Sequence, residues 1–523
     1  MRKFIITILI LLNLPANAQL NTRIVENELS KLVNDGKLVS NDILNWITTD
    51  NTFSNENGIN HFYIRQGKNN LEINGTESGI HILSDGTVLT SNINFIKNLD
   101  SKITGLSIPN ISAIQAVKNV ALELGYTVTE QLTVLERNNT VNQKQLISQG
   151  GISSSKIPVR LMYHRLQNDN VVLVWDLSIE SSQKNEWYNL KVDASTGVIV
   201  DKINWMLTCD FPVSKIEKQS NFVDKIEKWN FTKFLKNENF LSPNSILSGT
   251  YNVFGLPLES PYYGSRSLVT NIENLNASPY GWHDTNGILG AEYTVTRGNN
   301  VNAFKGSGTS LFQPNGGPNL VFDYPLNLAF STTTPSEAAS ITNLFYYNNI
   351  IHDVMYNYGF GEINGNFQTL NYNSGSGLGN DPVNARAQIR NWGNATFSTP
   401  PDGTSPSMSM YYNGTQDGNL ENLVIAHEYG HGISNRLTGG PTNVSCLDNN
   451  EQMGEGWSDW YGLMLSMEAG DTNTTSRTVG NYLFNQGING SGIRPFPYNT
   501  MMTVNPQTYN AIKTAAIDRK SVV

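Results

Sequence analysis

Two of the seven histidines of this chain, His427 and His431, stand four residues apart in AHEYGHGISNRLTGG, with Glu428 beside the first. On an α-helix, residues i and i+4 lie one turn apart on the same face, so both imidazoles can offer nitrogen to one ion. In this H-E-x-x-H arrangement the neighbouring carboxylate handles the proton of a metal-activated water. The bland alternative is an ordinary helix that carries two histidines by accident. Two ligands do not hold a catalytic zinc, whereas three with an open position usually do. The following helical stretch, QMGEGWSDWYGLML, offers Glu455 and Asp459, again four apart. Gly439, Gly440 and Pro441 between the two stretches let the second fold back beside the first. Glu455 then completes a His, His, Glu set, and Asp459 can accept the free N–H of a ligand histidine and fix its tautomer. Read blandly, both carboxylates are solvated helix charges. That reading is weakened by Trp457, Trp460, Tyr461, Leu463 and Leu465 around them, because charges in an apolar helix need a partner.

The two helices that must carry these residues are expected over Leu420–Leu437 and about Gln452–Ala469, each closed by glycine. A third helix is expected in TPSEAASITNLFYYNNIIHDVMYNYGFG, where Thr334 and Glu337 have capping-box spacing, Pro335 occupies the first turn and Gly359 stops the run. His352 and Asp353 near its end read as a buried or capping pair. Between Tyr251 and about Thr333 the sequence is turn-rich, aromatic and glycine-rich, and reads as β. Upstream, alternation marks strands at His61–Gln66, Ser78–Leu83, Val171–Ile179 and Tyr188–Val200, with hairpin turns at Asp85-Gly86 and Ser195-Thr196-Gly197. A short helix there is capped by Ser112 and ended by Gly125. His61, His81 and His164 sit within strand patterns and read as structural. From about Thr208 to Gly249 the periodicity fails amid scattered lysines, which reads as an exposed, cleavable linker or as amphipathic turns packed on a neighbour.

The 523 residues exceed one core and suggest several domains. A net charge of −9 argues against nucleic-acid and anionic-membrane partners, which want a basic face. MRKFIITILILLNLPANAQL has the three parts of a secretory signal peptide, with cleavage expected after Ala18. Its apolar run is too short to span a bilayer, and no later run approaches the ~20 residues of a membrane helix, so a soluble export product is expected. With only Cys209 and Cys446 there is no disulfide framework. A Cys209 thiolate in a pro-region is one candidate for blocking a metal.

HEYGHGISNRLTGGP followed by MGEGWSDW resembles the zinc centre of the fungalysin family, secreted metalloendopeptidases more distantly similar to thermolysin. SPYGWHD, YTVTRGNNVNAF, FDYPL, TNLFYYNNIIHD and NATFSTPPDG extend the resemblance, which covers nearly everything from about residue 25 to 515 and is taken as that of a bacterial member. It implies an α+β chain: two small α+β propeptide units, then a thermolysin-like catalytic domain with a β-rich first half and a helical second half. The implied division is signal peptide 1–18, first propeptide unit 19–110, second PepSY-like unit 111–205, linker with an activation cut 206–249, and catalytic domain 250–523. It implies that His427, His431 and Glu455 bind Zn2+, that Glu428 is the general base, and that Asn394 and Ala395 hold substrate backbone at a sheet edge. Protein or peptide substrates, an extracellular location, and the chain's own propeptide as inhibitor and chaperone are implied with it.

The resemblance also implies further helix after the zinc site, with groups for the tetrahedral oxyanion. No histidine follows His431, Leu437–Gly454 has no tyrosine, and the closing DRKSVV back-translates to a sequencing-adapter-like stretch. Genuine protein is therefore expected to end near Ile517 in a truncated reading frame. The alternative function is a catalytically inactive homologue acting as a folded binding or inhibitory module. An aminopeptidase sharing the metal motif would need a group for the substrate's free amine, and none stands out.

Overall fold

The computed structural model describes residues 22–54, 57–208, 247–306, 310–332, 336–373, 377–448, 453–508 and 510. The signal segment, Cys209, the linker between 209 and 246, the capping residues Thr334 and Pro335, and the closing DRKSVV lie outside them. The chain divides into two compact units, Met1–Trp205 and Met206–Val523, and both mix helix with sheet.

In the first unit, helix α1 (22–34) buries Val25 and Leu29 against Phe62, Ile64, Ile80 and Ile82. Strand Ser78–Leu83 alternates, with Ile80 and Ile82 inward and His81 on the outer face. Helix α2 (Ala113–Leu124) starts where Ser112 Oγ accepts the Gln115 amide at 3.2 Å and stops at Gly125, whose φ of 68° suits only a residue without Cβ. Its stripe of Ala116, Val117, Val120 and Ala121 packs on the strands Ile157–Arg165 and Val171–Glu180. One continuous sheet joins these two cores, because Leu71–Asn74 pairs with Ile59–Lys68 on one side and runs parallel to Ile157–Arg165 on the other. The turns at Asp85-Gly86 and Ser195-Thr196-Gly197 both close hairpins.

In the second unit a five-stranded sheet has the order Met206–Thr208, Ala395–Ser398, Ser407–Met410, Val383–Arg386, Val301–Phe304. Helix α3 (Ser336–Asn357) is buried along most of its length, and its Ile341, Leu344, Phe345, Ile350 and Ile351 form the centre of the core. Two buried asparagines on it donate within the helix, Asn348 Nδ2 to Leu344 O and Asn349 Nδ2 to Phe345 O, each at 2.9 Å. Helices α4 (Asn422–Thr438) and α5 (Gly454–Leu465) complete this side of the core.

Three expectations shift. Among the described residues from Tyr251 to 332, the strands are all short: Thr250–Val253, Ser267–Thr270, Val301–Phe304 and Val321–Phe322. The asparagine, glycine and proline content of this stretch yields turns tied by side chains instead of ladders. Helix α5 ends at Leu465, four residues early, and its cap is Ser466 and not a glycine. Between Leu465 and residue 508 no helix occurs among the described residues.

Candidate metal centre

Helix α4 is fixed at both ends before any metal is considered. At its start Asn422 Nδ2 donates to the carbonyls of Phe254 (2.7 Å) and Leu258 (2.8 Å), and Glu421 Oε2 accepts the Leu483 amide at 2.6 Å. At its end the fully buried Arg436 donates to Pro400 O (2.9 Å) and Gly365 O (2.8 Å), and pairs with Asp381 and Asp402, each at 3.2 Å. Five donors in a fixed fork suit one side chain that gathers several loops.

Helix α5 lies close against α4 because glycines face the contact. A Cβ on Gly430 would lie 2.9 Å from Ser458 Cα, and one on Gly462 would lie 2.9 Å from Leu423 O. The approach brings Glu455 and Asp459 onto the histidines. His427 Nε2 lies 3.1 Å from Glu455 Oε2 and 3.1 Å from His431 Nε2, and His431 Nε2 lies 3.4 Å from Glu455 Oε1. All three side chains are buried. Zinc–nitrogen and zinc–oxygen bonds of ~2.0–2.2 Å in a tetrahedral set separate neighbouring donors by just such distances. His427 Nδ1 faces Asp459 Oδ1 at 2.7 Å, so the proton on that nitrogen leaves Nε2 as the donor.

Electrostatics point the same way. Burial opposes charge on His427, yet the carboxylates of Glu455 and Asp459 push the imidazole pKa up to about 10. Burial likewise opposes charge on Glu455, yet His427 and His431 hold it well below the ordinary carboxylate range. The cluster therefore favours a positive charge between these donors, which is what a dication supplies. Glu428 is buried on the turn between the two histidines.

Asp459 is further held by Arg494, whose Nε lies 2.6 Å from Oδ2 and whose Nη2 lies 2.8 Å from Oδ1, and by the Tyr498 hydroxyl. Arg494 Nη2 also donates to Glu455 Oε2 at 3.0 Å. Neither residue is legible from the sequence, because SGIRPFPYNT has no periodicity and no spacing tied to the helices. Trp457 and Trp460 are exposed on the outer face of α5, whereas Leu463 and Leu465 are buried, as are the inward-looking carboxylates of Glu455 and Asp459.

Asn394 and Ala395 lie where strand Ala395–Ser398 begins, Asn394 Oδ1 accepting the Ala395 amide at 2.7 Å. The free side of this strand is taken by Met206–Thr208, antiparallel, with Met206 opposite Ser398, Leu207 opposite Phe397 and Thr208 opposite Thr396. The strand also abuts α4, since a Cβ on Gly432 would lie 2.7 Å from the Phe397 ring. His352 and Asp353 stay structural: Asp353 accepts from Ser278 Oγ (2.7 Å), Trp282 Nε1 (2.8 Å) and the Asn274 amide (2.9 Å).

Residues 250–522 match the family model of the fungalysin metallopeptidases (M36). Extracellular metalloproteinase 2 of Arthroderma otae is 32% identical over 482 residues, covering 89% of this chain and 68% of that protein. The extracellular metalloproteinase of Pyrenophora tritici-repentis is 31% identical, covering 88% and 65%. Extracellular metalloproteinase mep of Aspergillus fumigatus is 29% identical, covering 89% and 68%. The chain thus spans about two thirds of the length of these relatives. They are fungal, and they support neither a bacterial source nor an interrupted reading frame. With a family model over more than half its residues and a relative aligned along most of its length, the chain belongs to the fungalysin metallopeptidase family.

Proposed function

We propose that the protein is the precursor of a secreted, zinc-dependent endopeptidase in which His427, His431 and Glu455 are the metal ligands and Glu428 is the general base. The observation that carries this is the buried triangle of two imidazole nitrogens and a carboxylate, 3.1 to 3.4 Å apart, beside a buried glutamate on the same helix. Zinc held by His427, His431 and Glu455 would lower the pKa of a water toward ~7 and polarise the scissile carbonyl. The Glu428 carboxylate takes the proton released by the attacking water and delivers it to the departing amine nitrogen, without a covalent intermediate. Asp459 keeps the His427 proton on Nδ1, and Arg494 and Tyr498 keep Asp459 in place.

Asn394, Ala395 and the strand they begin are the substrate rail. An added strand grips any extended peptide through its main chain, which suits proteins as substrates. Met206–Thr208 pairs with this rail as an extended substrate would, which supports a pro-region that restrains the enzyme until the chain is cut within 206–249. In this reading 1–18 is a signal peptide, 19–110 and 111–205 are the two propeptide units, and 250–523 is catalytic. The names of the relatives support an extracellular product. Among the described residues no helix is long and apolar enough to cross a membrane.

Glu428→Ala tests the assignment: zinc content stays at one per chain while casein hydrolysis is lost. Undiminished turnover in that variant overturns it. The rival reading, an inactive binding or inhibitory module, is disfavoured by the intact ligand set, and chelator-sensitive hydrolysis by the cleaved enzyme excludes it.

A further inference from the structure

The loop DTNGILGAE, Asp284–Glu292, lies outside the zinc centre and carries two carboxylates without a counter-charge. Its base is rigid. The two preceding rings, Trp282 and His283, are core residues, and His283 is fixed through Nε2 to the Tyr251 hydroxyl (2.9 Å) and through Nδ1 to Arg297 O (3.0 Å). The loop closes on itself where the Glu292 amide donates to His283 O at 3.2 Å.

Asp284 is fully buried at this base. Its Oδ1 accepts the Gly287 amide at 2.9 Å and the Tyr372 hydroxyl at 3.2 Å. Its Oδ2 is buried and has no hydrogen-bond partner among the described residues. Glu292 turns into the same loop, with Oε2 accepting the Thr285 amide and Oε1 accepting Asn286 Nδ2, each at 2.6 Å. Neither carboxylate has a lysine, arginine or histidine ion-pair partner among the described residues. Burial raises the Asp284 carboxyl, and Glu292 raises it further, against the amides of Gly287 and Ile288 and the Tyr372 hydroxyl. A buried carboxylate oxygen without donor or counter-charge costs free energy unless something fills the gap.

We propose that the Asp284–Glu292 loop binds a calcium-like hard divalent cation through Asp284 Oδ2 and the Glu292 carboxylate, with loop oxygens completing the shell. The donors are all oxygen, and His283, the one imidazole nearby, has both nitrogens engaged. That chemistry selects calcium over zinc, and calcium tolerates the irregular geometry of a short loop rich in glycine and asparagine. The cation neutralises the buried charge and ties the loop to the core at Trp282 and His283. A secreted protease gains from this by exposing fewer opened loops to cleavage.

Terbium, an oxygen-preferring calcium substitute, tests the site in the full, zinc-loaded chain, because Tyr372 is placed to sensitise its emission. Tyrosine-sensitised emission is expected, with displacement by calcium. It is lost in Asp284→Asn, and Glu292→Gln, at an exposed position, weakens terbium binding about tenfold or more. Calcium likewise raises the thermal midpoint of the wild-type chain and not that of the variants. If Asp284→Asn fails to fold, Glu292→Gln decides. Absent emission, emission that calcium does not displace, or unchanged binding in Glu292→Gln overturns the proposal.

Discussion

Asp459 meets three donors at once: His427 Nδ1 at 2.7 Å, the Arg494 guanidinium in a two-point contact, and the Tyr498 hydroxyl. Burial pushes its carboxyl up, but Arg494 and His427 together hold it down to about 2, so it stays ionised. An ionised Asp459 fixes the tautomer that turns the lone pair of His427 Nε2 toward His431 and Glu455. Arg494→Ala is therefore expected to weaken zinc binding by about 10- to 100-fold, the usual cost of losing an outer partner of a ligand, read by competition with a chromogenic chelator. The secondary structure should be unchanged by circular dichroism, since Arg494 organises the site and not the core. Unaltered zinc affinity would sink the role given to it.

At the scale of elements, the site depends on how closely α4 and α5 approach. Gly430→Ala places a Cβ 2.9 Å from Ser458 Cα and from Tyr461 Cδ2, and a backbone atom cannot swing aside. The expected cost is about 1–3 kcal/mol of stability by chemical denaturation, with weaker zinc retention because Glu455 is displaced with α5. The start of α4 carries a pH dependence of its own. Burial, with help from Glu259, raises the Glu421 carboxyl to about 8, despite the amides of Leu483, Tyr482 and Gly480. An unfolded glutamate titrates near ~4.3. Between these values the folded state holds a proton that the unfolded chain has lost, so this contribution is complete below the unfolded pKa and declines as pH rises. The unfolding free energy from urea titrations should therefore fall between about pH 5 and about pH 8, with a slope approaching ~1.4 kcal/mol per pH unit. Glu421→Gln, which keeps an acceptor for the Leu483 amide, should flatten that slope. An equally steep fall in the variant would show that other groups control it.

For the whole molecule, Met206–Thr208 is the informative segment, because it follows directly on the first unit and fills the free side of the Ala395–Ser398 strand. Zinc-loaded intact chain is expected to hydrolyse casein more slowly than the same preparation cut between residues 206 and 249 and freed of the first unit. Adding the released first unit back should slow hydrolysis again. Equal rates before and after cutting would show that the rail is open in the intact chain.

Much of the centre was legible in the sequence because its key spacings are local. His427 with His431, and Glu455 with Asp459, sit four apart, and helical periodicity alone puts each pair on one face. The capping of α2 by Ser112 and Gly125, and the two hairpin turns, were readable for the same reason. Contacts without a period were not readable. Arg494 and Tyr498 lie in a turn-rich stretch, 35 and 39 residues from the Asp459 they hold. No spacing ties Arg436 to Asp381 and Asp402, the carboxylates that close around it, and α5 buries its carboxylate face while Trp457 and Trp460 are exposed. The sequence by itself determined which side chains can ligate a metal, because ligand type and helical spacing are local properties. Which outer groups hold them, and what lies along the Ala395–Ser398 strand, come from the folded chain alone, because those contacts join segments whose separation follows no repeat.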